Sequence, residues 1–121
     1  MKRILVIEDT EDNRQIMRDL LTSVGYELIE AVNGEEGVAM AKQHKPDLIL
    51  MDIQLPILDG YEATRRIKAD AALASVPIIA VTSYALAGDE AKTRAAGCDA
   101  YIAKPFSPRQ LLAKVRELLP E

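Results

Sequence analysis

At 121 residues the chain has the length of one ordinary domain and should bury roughly two thirds of its unfolded surface, so a single domain over residues 1–121 is expected. Hydrophobic residues at 49% and charged residues at 28% exclude extensive disorder, and a net charge of -4 argues against sequence-independent nucleic-acid binding, which needs a basic face. Cys98 is the only cysteine and excludes an intramolecular disulfide; with neither a secretory signal nor a membrane span after Met1-Lys2-Arg3, a cytoplasmic location is expected. Short apolar runs then alternate five times with amphipathic stretches. They predict β1 at Arg3 to Ile7, α1 at about Asp12 to Val24, β2 at Glu27 to Ala31, α2 at about Glu35 to His44 and β3 at Leu48 to Met51. There follow α3 at about Tyr61 to Ala69, β4 at Pro77 to Val81, α4 at about Leu86 to Ala96, β5 at Ala100 to Ala103, and α5 at Pro108 to Leu119.

Punctuation supports that order. Gly25 and Gly97 follow helical patterns where a left-handed residue is expected, Asn33-Gly34 reads as a turn pair, and Pro46 and Pro77 stop helices or precede strands. Ser107-Pro108-Arg109-Gln110 has the form of a capping box with Pro at the first helical position. Leu48 to Met51 and Ile78 to Val81 are apolar without alternation, which predicts central parallel strands covered on both faces.

Polar positions sit just past these runs: Glu8 and Asp9 after β1, Asp52 after β3, Thr82 after β4 and Lys104 after β5. In a parallel sheet all of them lie along the carboxyl edge, where open α/β sheets place their ligands. Three carboxylates, a hydroxyl and an amine in one crevice suit a hard cation and a phosphoryl group. Asp52 is hard to dismiss as idle, because it closes a fully apolar strand. At about 4 Å from Asp9 their repulsion is on the order of 1 kcal/mol in water and about 4 kcal/mol at an effective dielectric of 20. A positive group must compensate, either a divalent cation, with Mg²⁺ the best match to oxygen ligands, or the ammonium of Lys104.

The ordered set Glu8-Asp9, Asp52, Thr82, Tyr101 and Lys104-Pro105, with the phrase Asp52-Ile53-Gln54-Leu55-Pro56-Ile57-Leu58-Asp59-Gly60, resembles receiver domains of two-component response regulators from Ile4 to Leu118. The resemblance implies an α/β fold, a doubly wound five-stranded parallel sheet of order 2-1-3-4-5 with five helices. It implies Asp52 as phosphoacceptor, Mg²⁺ held by Glu8, Asp9, Asp52 and the backbone carbonyl of Gln54, and Thr82 and Lys104 on the phosphoryl group. Gln54 and Tyr84, two residues beyond Asp52 and Thr82, would tune the lifetime of the phosphoryl group, and the Lys104-Pro105 bond would be cis. Glu8 at the first acidic position leaves direct or water-mediated metal contact open. The absence of an output domain is similar to the single-domain regulators.

Such a chain promotes its own phosphoryl uptake and loss without being a turnover enzyme. His44, the only histidine, reads as a solvated helix end, so the donor is expected to be a histidine kinase or a histidine phosphotransfer protein. Output is expected through the α4-β5-α5 face, with Lys92, Tyr101 and Arg109. Thr82 and the Ser83-Tyr84-Ala85 loop would move toward the phosphoryl group while Tyr101 fills the space, controlling a downstream protein target or a phosphorylation-dependent homodimer. Neither nucleic acid nor membrane is an expected partner.

Two other classes fit less well. A phosphohydrolase with an aspartyl-phosphate intermediate wants a second Asp two residues after the nucleophile, where this chain has Gln54, and a cap domain besides. A flavin carrier wants a hydroxyl- and glycine-rich loop after β1, whereas Glu8-Asp9-Thr10-Glu11-Asp12 would repel phosphate. Milder readings complete the picture. Met17, Met40 and Met51 are core filler, Cys98 a small buried hydrophobe, and Arg65, Arg66 and Lys68 a solvated helix face. Leu20, Leu21 and Val24 pack on the sheet, with Ile16 at the exposed edge of α1 available to a kinase bundle.

Overall fold

The structure, a computed structural model, describes residues 2–82, 89–104 and 106–119. Strands β1 (Arg3–Ile7), β2 (Glu27–Ala31), β3 (Leu48–Asp52), β4 (Ile78–Thr82) and β5 (Ala100–Ala103) alternate with helices α1 (Glu11–Ser23), α2 (Gly34–His44), α3 (Gly60–Ala69), α4 (Asp89–Ala96) and α5 (Pro108–Leu118). The strands form one sheet of order β2-β1-β3-β4-β5, parallel at every pairing. This is the doubly wound order that the resemblance implies. The start of α4 expected at Leu86, and the expectations for Ser83, Tyr84, Ala85 and the Lys104-Pro105 bond, lie outside the described residues.

Strands β1 to β4 each serve two cores because successive side chains point to opposite faces. Leu5, Ile7, Ile49, Met51, Ile78 and Ala80 face one cluster, completed by Ala41 of α2 and by Ala63 and Ile67 of α3. Ile4, Val6, Leu48, Leu50, Ile79, Val81 and Ile102 face the other, with Met17 and Leu21 of α1 and Leu111 and Val115 of α5. Full burial of one such Leu, Ile or Met side chain is worth about 1.5–3 kcal/mol, so these two layers dominate what holds the sheet. Met51 and Met17 are core residues as expected, Met40 packs half-buried against the first cluster, and Cys98 is buried there.

The punctuation behaves largely as read. Gly25 and Gly97 have φ of 95° and 110°, and Ser107 caps α5 with a reciprocal capping box to Gln110. Asn33 is not in a free turn: its side chain accepts from the Glu36 amide as the N-cap of α2, and Gly34 is the first helical residue. A Cβ on Gly34 would lie 1.9 Å from the Leu58 carbonyl oxygen, so the glycine is there for close packing.

Other differences share one cause, backbone pairing or reach that hydropathy does not report. Asp52 and Thr82 belong to their strands, continuing the ladder opposite Val81 and Ala103. Arg65 and Arg66 form the expected solvated face, both pairing with Glu62, but Lys68 does not join them. Its ammonium donates to the carbonyls of Ala74 and Val76 and to Asp99, tying α3 to the entries of β4 and β5. Val24 is the exposed C-cap of α1 instead of a sheet-packing residue, whereas Leu21 is buried and Ile16 exposed as read.

The segment from the end of β3 to the first residue of α3 carries two unusual positions. Gly60 is required, because a Cβ there would stand 2.4 Å from the Asp52 carbonyl oxygen and 2.6 Å from Ile53 Cα. Ile57 has φ 70° although it is β-branched, and its side chain is 77% exposed. A left-handed L-residue costs roughly 1–2 kcal/mol, and little packing is lost by truncating so exposed a side chain. Ile57→Gly should therefore raise the unfolding free energy by about 0.5–1 kcal/mol after the added unfolded-state entropy of glycine, read as a higher urea midpoint at constant slope. A lower midpoint would show that the Ile57 side chain contributes more than its backbone costs.

Candidate functional site

The carboxyl ends of β1, β3, β4 and β5 bring the expected residues together. Glu8 is 1% exposed and Asp52 4% exposed, each directly after a run of four buried apolar residues, while Asp9 one residue on is exposed. Carboxylate oxygens of Glu8, Asp9 and Asp52 all lie within 4.8 Å of one another. Lys104 enters from the far side of the sheet and donates to Glu8 Oε1 at 2.8 Å, with Asp52 Oδ2 at 3.5 Å. The sequence argument set Asp9 against Asp52; in the structure the buried like-charge neighbours are Glu8 and Asp52, with the Lys104 ammonium serving Glu8 first.

Backbone amides complete the frame. Glu8 N–H donates to the Ala31 carbonyl, Thr10 N–H donates to Glu8 Oε2, and Gln54 N–H donates to Asp52 Oδ1. Lys104 N–H donates to the Thr82 carbonyl at 2.7 Å, which fixes the root of the lysine against β4. Thr82 is fully buried, and its hydroxyl accepts from Gln54 Nε2 at 3.0 Å. That side-chain contact is not foreshadowed by the sequence, where Gln54 figures as a backbone carbonyl and a lifetime residue. Tyr101 is half-buried on β5 opposite Ala80, and Lys92 and Arg109 are exposed on α4 and α5.

Electrostatics divide the two buried carboxyls. Burial alone would raise Glu8, but the bonds from Lys104 and the Thr10 amide outweigh it and hold Glu8 below the ordinary carboxylate value. Asp52 is pushed up to about 7, by burial first and by the Glu8 charge second, against smaller opposing pulls from Lys104 and the Gln54 amide. Lys104 is raised, because its two carboxylate partners outweigh its own desolvation. One ammonium thus faces three carboxyls. Oxygen-only donors converging on uncompensated negative charge fit a hard divalent cation such as Mg²⁺. His44 stays at the end of α2, outside this group, and the buried Cys98 thiol is pushed up by its burial, consistent with a packing role.

A five-stranded parallel α/β domain with an acidic pocket and a lysine at its carboxyl edge is the architecture of a signalling receiver. Residues 4–116 match the response regulator receiver domain, and the chain belongs to that family. It is a receiver of two-component signalling of the DivK/CheY-like kind. The polar-differentiation response regulator DivK of Brucella anthropi is 45% identical over 118 residues, covering 98% of this chain and 96% of that protein. Among solved structures, the receiver domain of a sensor histidine kinase from Pseudomonas aeruginosa PAO1, with a magnesium ion coordinated in its active-site cleft, superposes with a TM-score of 0.92 at 38% identity over 99% of this chain and 98% of that one. The chemotaxis protein CheY4 of Vibrio cholerae superposes with a TM-score of 0.93 at 26% identity over 98% of each chain. Among the described residues no helix is long and apolar enough to cross a membrane.

The raised Asp52 carboxyl has a consequence for stability. With Asp52 pushed up to about 7, the folded state retains between those two values a proton that an unfolded aspartate, with its ordinary value of 3.8, releases. Without divalent metal this contribution is favourable at low pH and is lost as pH rises from about 4 to 7. Asp52→Asn should match the unaltered protein near pH 4 and exceed it by on the order of 1 kcal/mol or more at pH 8, measured by urea unfolding in a chelating buffer. A gap independent of pH would mean that Asp52 carries no such proton.

Proposed function

We propose that the chain, as a single receiver domain over residues 1–121, is a phosphorylation-controlled switch of a cytoplasmic phosphorelay, with Asp52 as the phosphoacceptor. The observation that carries this reading is the position of Asp52: a buried carboxyl at a strand terminus, 3.5 Å from the Lys104 ammonium and within one oxygen cluster with Glu8 and Asp9. Glu8, Asp9, Asp52 and the Gln54 carbonyl would hold Mg²⁺. Both Glu8 oxygens already accept bonds, from Lys104 and the Thr10 amide, which favours contact from Glu8 through a metal-bound water. When bound, the ion would supply positive charge to the Asp52 carboxylate and to the incoming phosphoryl group.

The chain's own residues do the rest. The Asp52 carboxylate forms a new P–O bond while the donor's P–N bond breaks, and the electron pair and a proton end on the donor imidazole. Lys104 holds a phosphoryl oxygen from its seat against Glu8, and the Thr82 hydroxyl donates to another. Donors already in place cost no reorganisation as charge shifts, and this is where they help most. Gln54 and Tyr84 would set how water approaches the acyl phosphate. A histidine kinase or histidine phosphotransfer protein is the donor on this reading, and no turnover of a separate substrate is involved. Gln54, where a phosphohydrolase would place its acid, has its amide on Thr82, which disfavours that alternative.

Output follows from Thr82. A phosphoryl oxygen would accept the proton of its hydroxyl, whose oxygen already accepts from the Gln54 amide, and by drawing Thr82 toward it would bias the α4-β5-α5 face, including Lys92, Tyr101 and Arg109, toward a second packing that controls a protein target or a homodimer. Incubation with acetyl phosphate and Mg²⁺ should add one phosphate by intact mass, and Asp52→Asn or chelation should abolish it. Uptake that survives either change would refute the assignment. With beryllofluoride, amide exchange should slow in α4 and β5; change confined to the loop after Asp52 would defeat the switch while leaving the acceptor in place.

A further inference from the structure

The peptide plane between Glu8 and Asp9 belongs to both residues, with its carbonyl on Glu8 and its N–H on Asp9. It lies beyond the last β1–β2 pair, Ile7 opposite Ala31, where the ladder no longer dictates its orientation. Arg14, in the second turn of α1, reaches back and donates from Nη1 to the Glu8 carbonyl oxygen at 2.8 Å. The same guanidinium pairs with Glu11 and, through Nε, with Glu30 of β2 at 3.4 Å, and its side chain is only 11% exposed. Two carboxylates on one guanidinium largely cancel its charge, so what it delivers to the turn is geometry more than field. Arg18 stands behind it, donating from Nε and Nη2 to the two oxygens of Glu30, each at 2.7 Å, and reaching Glu11.

From this arrangement we infer that Arg14 is a positioning residue of the acidic site, fixing the Glu8–Asp9 peptide plane and so the direction in which the Asp9 carboxylate leaves the backbone toward Asp52. Asp9 is exposed, so the direction of its carboxylate follows from the backbone that carries it. Glu8 needs no such help, because Lys104 and the Thr10 amide hold its carboxylate. The network also ties the turn to both α1 and β2. A shift of α1 relative to the edge strand would turn the Asp9 ligand away. The inference rests on the Mg²⁺ site proposed above.

Mg²⁺ dissociation constants from calorimetry, with Mn²⁺ paramagnetic resonance as a second probe, test it on the unaltered chain, Arg14→Gln, Arg14→Lys and Arg18→Gln. Metal-free urea unfolding is measured alongside. Removing an outer partner of a metal ligand typically costs 10–100-fold in affinity, so Arg14→Gln should weaken Mg²⁺ about tenfold or more and Arg14→Lys by less. Arg18→Gln, which loses bonds to the same two carboxylates without touching the turn, should stay within about twofold, because no bond from Arg18 reaches the Glu8–Asp9 peptide. Unchanged affinity in Arg14→Gln, or an equal loss in Arg18→Gln, overturns the positioning role while leaving the metal site standing. If the unaltered chain binds no Mg²⁺, the metal reading falls and this inference with it. Should Arg14→Gln not fold, Arg14→Lys decides by the same criterion, with weaker binding in a natively folded variant supporting the role and unaltered binding overturning it.

Discussion

A carboxylate withdrawn almost wholly from water is the constraint on which this site depends. Glu8 keeps its charge because Lys104 donates to it at 2.8 Å and the Thr10 amide takes its other oxygen. Leaving such a charge without its partner costs about 3–5 kcal/mol, so Lys104 is bound first to Glu8 and only second to Asp52. Asp52 then sits beside a negative neighbour with a share of one ammonium. Its proton affinity follows from that inequality. So does the site's character as a place where added positive charge is favourable and a phosphoryl group is not, until that charge arrives.

The sheet makes the inequality possible. Strands buried on both faces have no polar side to set their register, since a slip by one residue exchanges one apolar face for another. Here the charged stops set it. Sliding β3 one step would draw Asp52 into the place of Met51, between Ile7 and Ala80 and away from the opening, where neither water nor Lys104 could satisfy it. Chemistry and register are thus specified by the same residues, and Gly60 allows the following helix to begin directly against the Asp52 backbone.

Much of this was legible in the chain. Apolar runs of five or four residues located β1, β2 and β5 at their observed limits, and the order of polar stops assembled Glu8, Asp9, Asp52, Thr82 and Lys104 at one edge. What hydropathy could not report was pairing. Asp52 and Thr82 are polar yet complete the ladder through their backbones, and Asn33 caps a helix instead of turning a loop. Long side chains were the other blind spot. Lys68 looks like a solvated residue until its ammonium is seen closing carbonyls of the α3–β4 segment. Gln54 crosses to Thr82, and Arg14 folds back over six residues to a carbonyl; each depends on conformation that residue spacing leaves open. The choice of Glu8 over Asp52 by Lys104 depends on how far a side chain from β5 reaches across β4 and β3, a distance only the sheet defines.

That reach also has a kinetic side. Glu8 and Lys104 are 96 residues apart in sequence, and β5 is the last strand to enter the sheet along the chain. Contacts of such separation are made late and slowly, because loop closure must come before they return any stabilisation. A chain with β1 to β4 assembled and β5 undocked would hold its carboxyls together without the ammonium, a state penalised by their mutual repulsion. The charge-balanced cluster therefore comes together only as the fold closes, and a chain with β5 undocked would leave Glu8 and Asp52 without their ammonium.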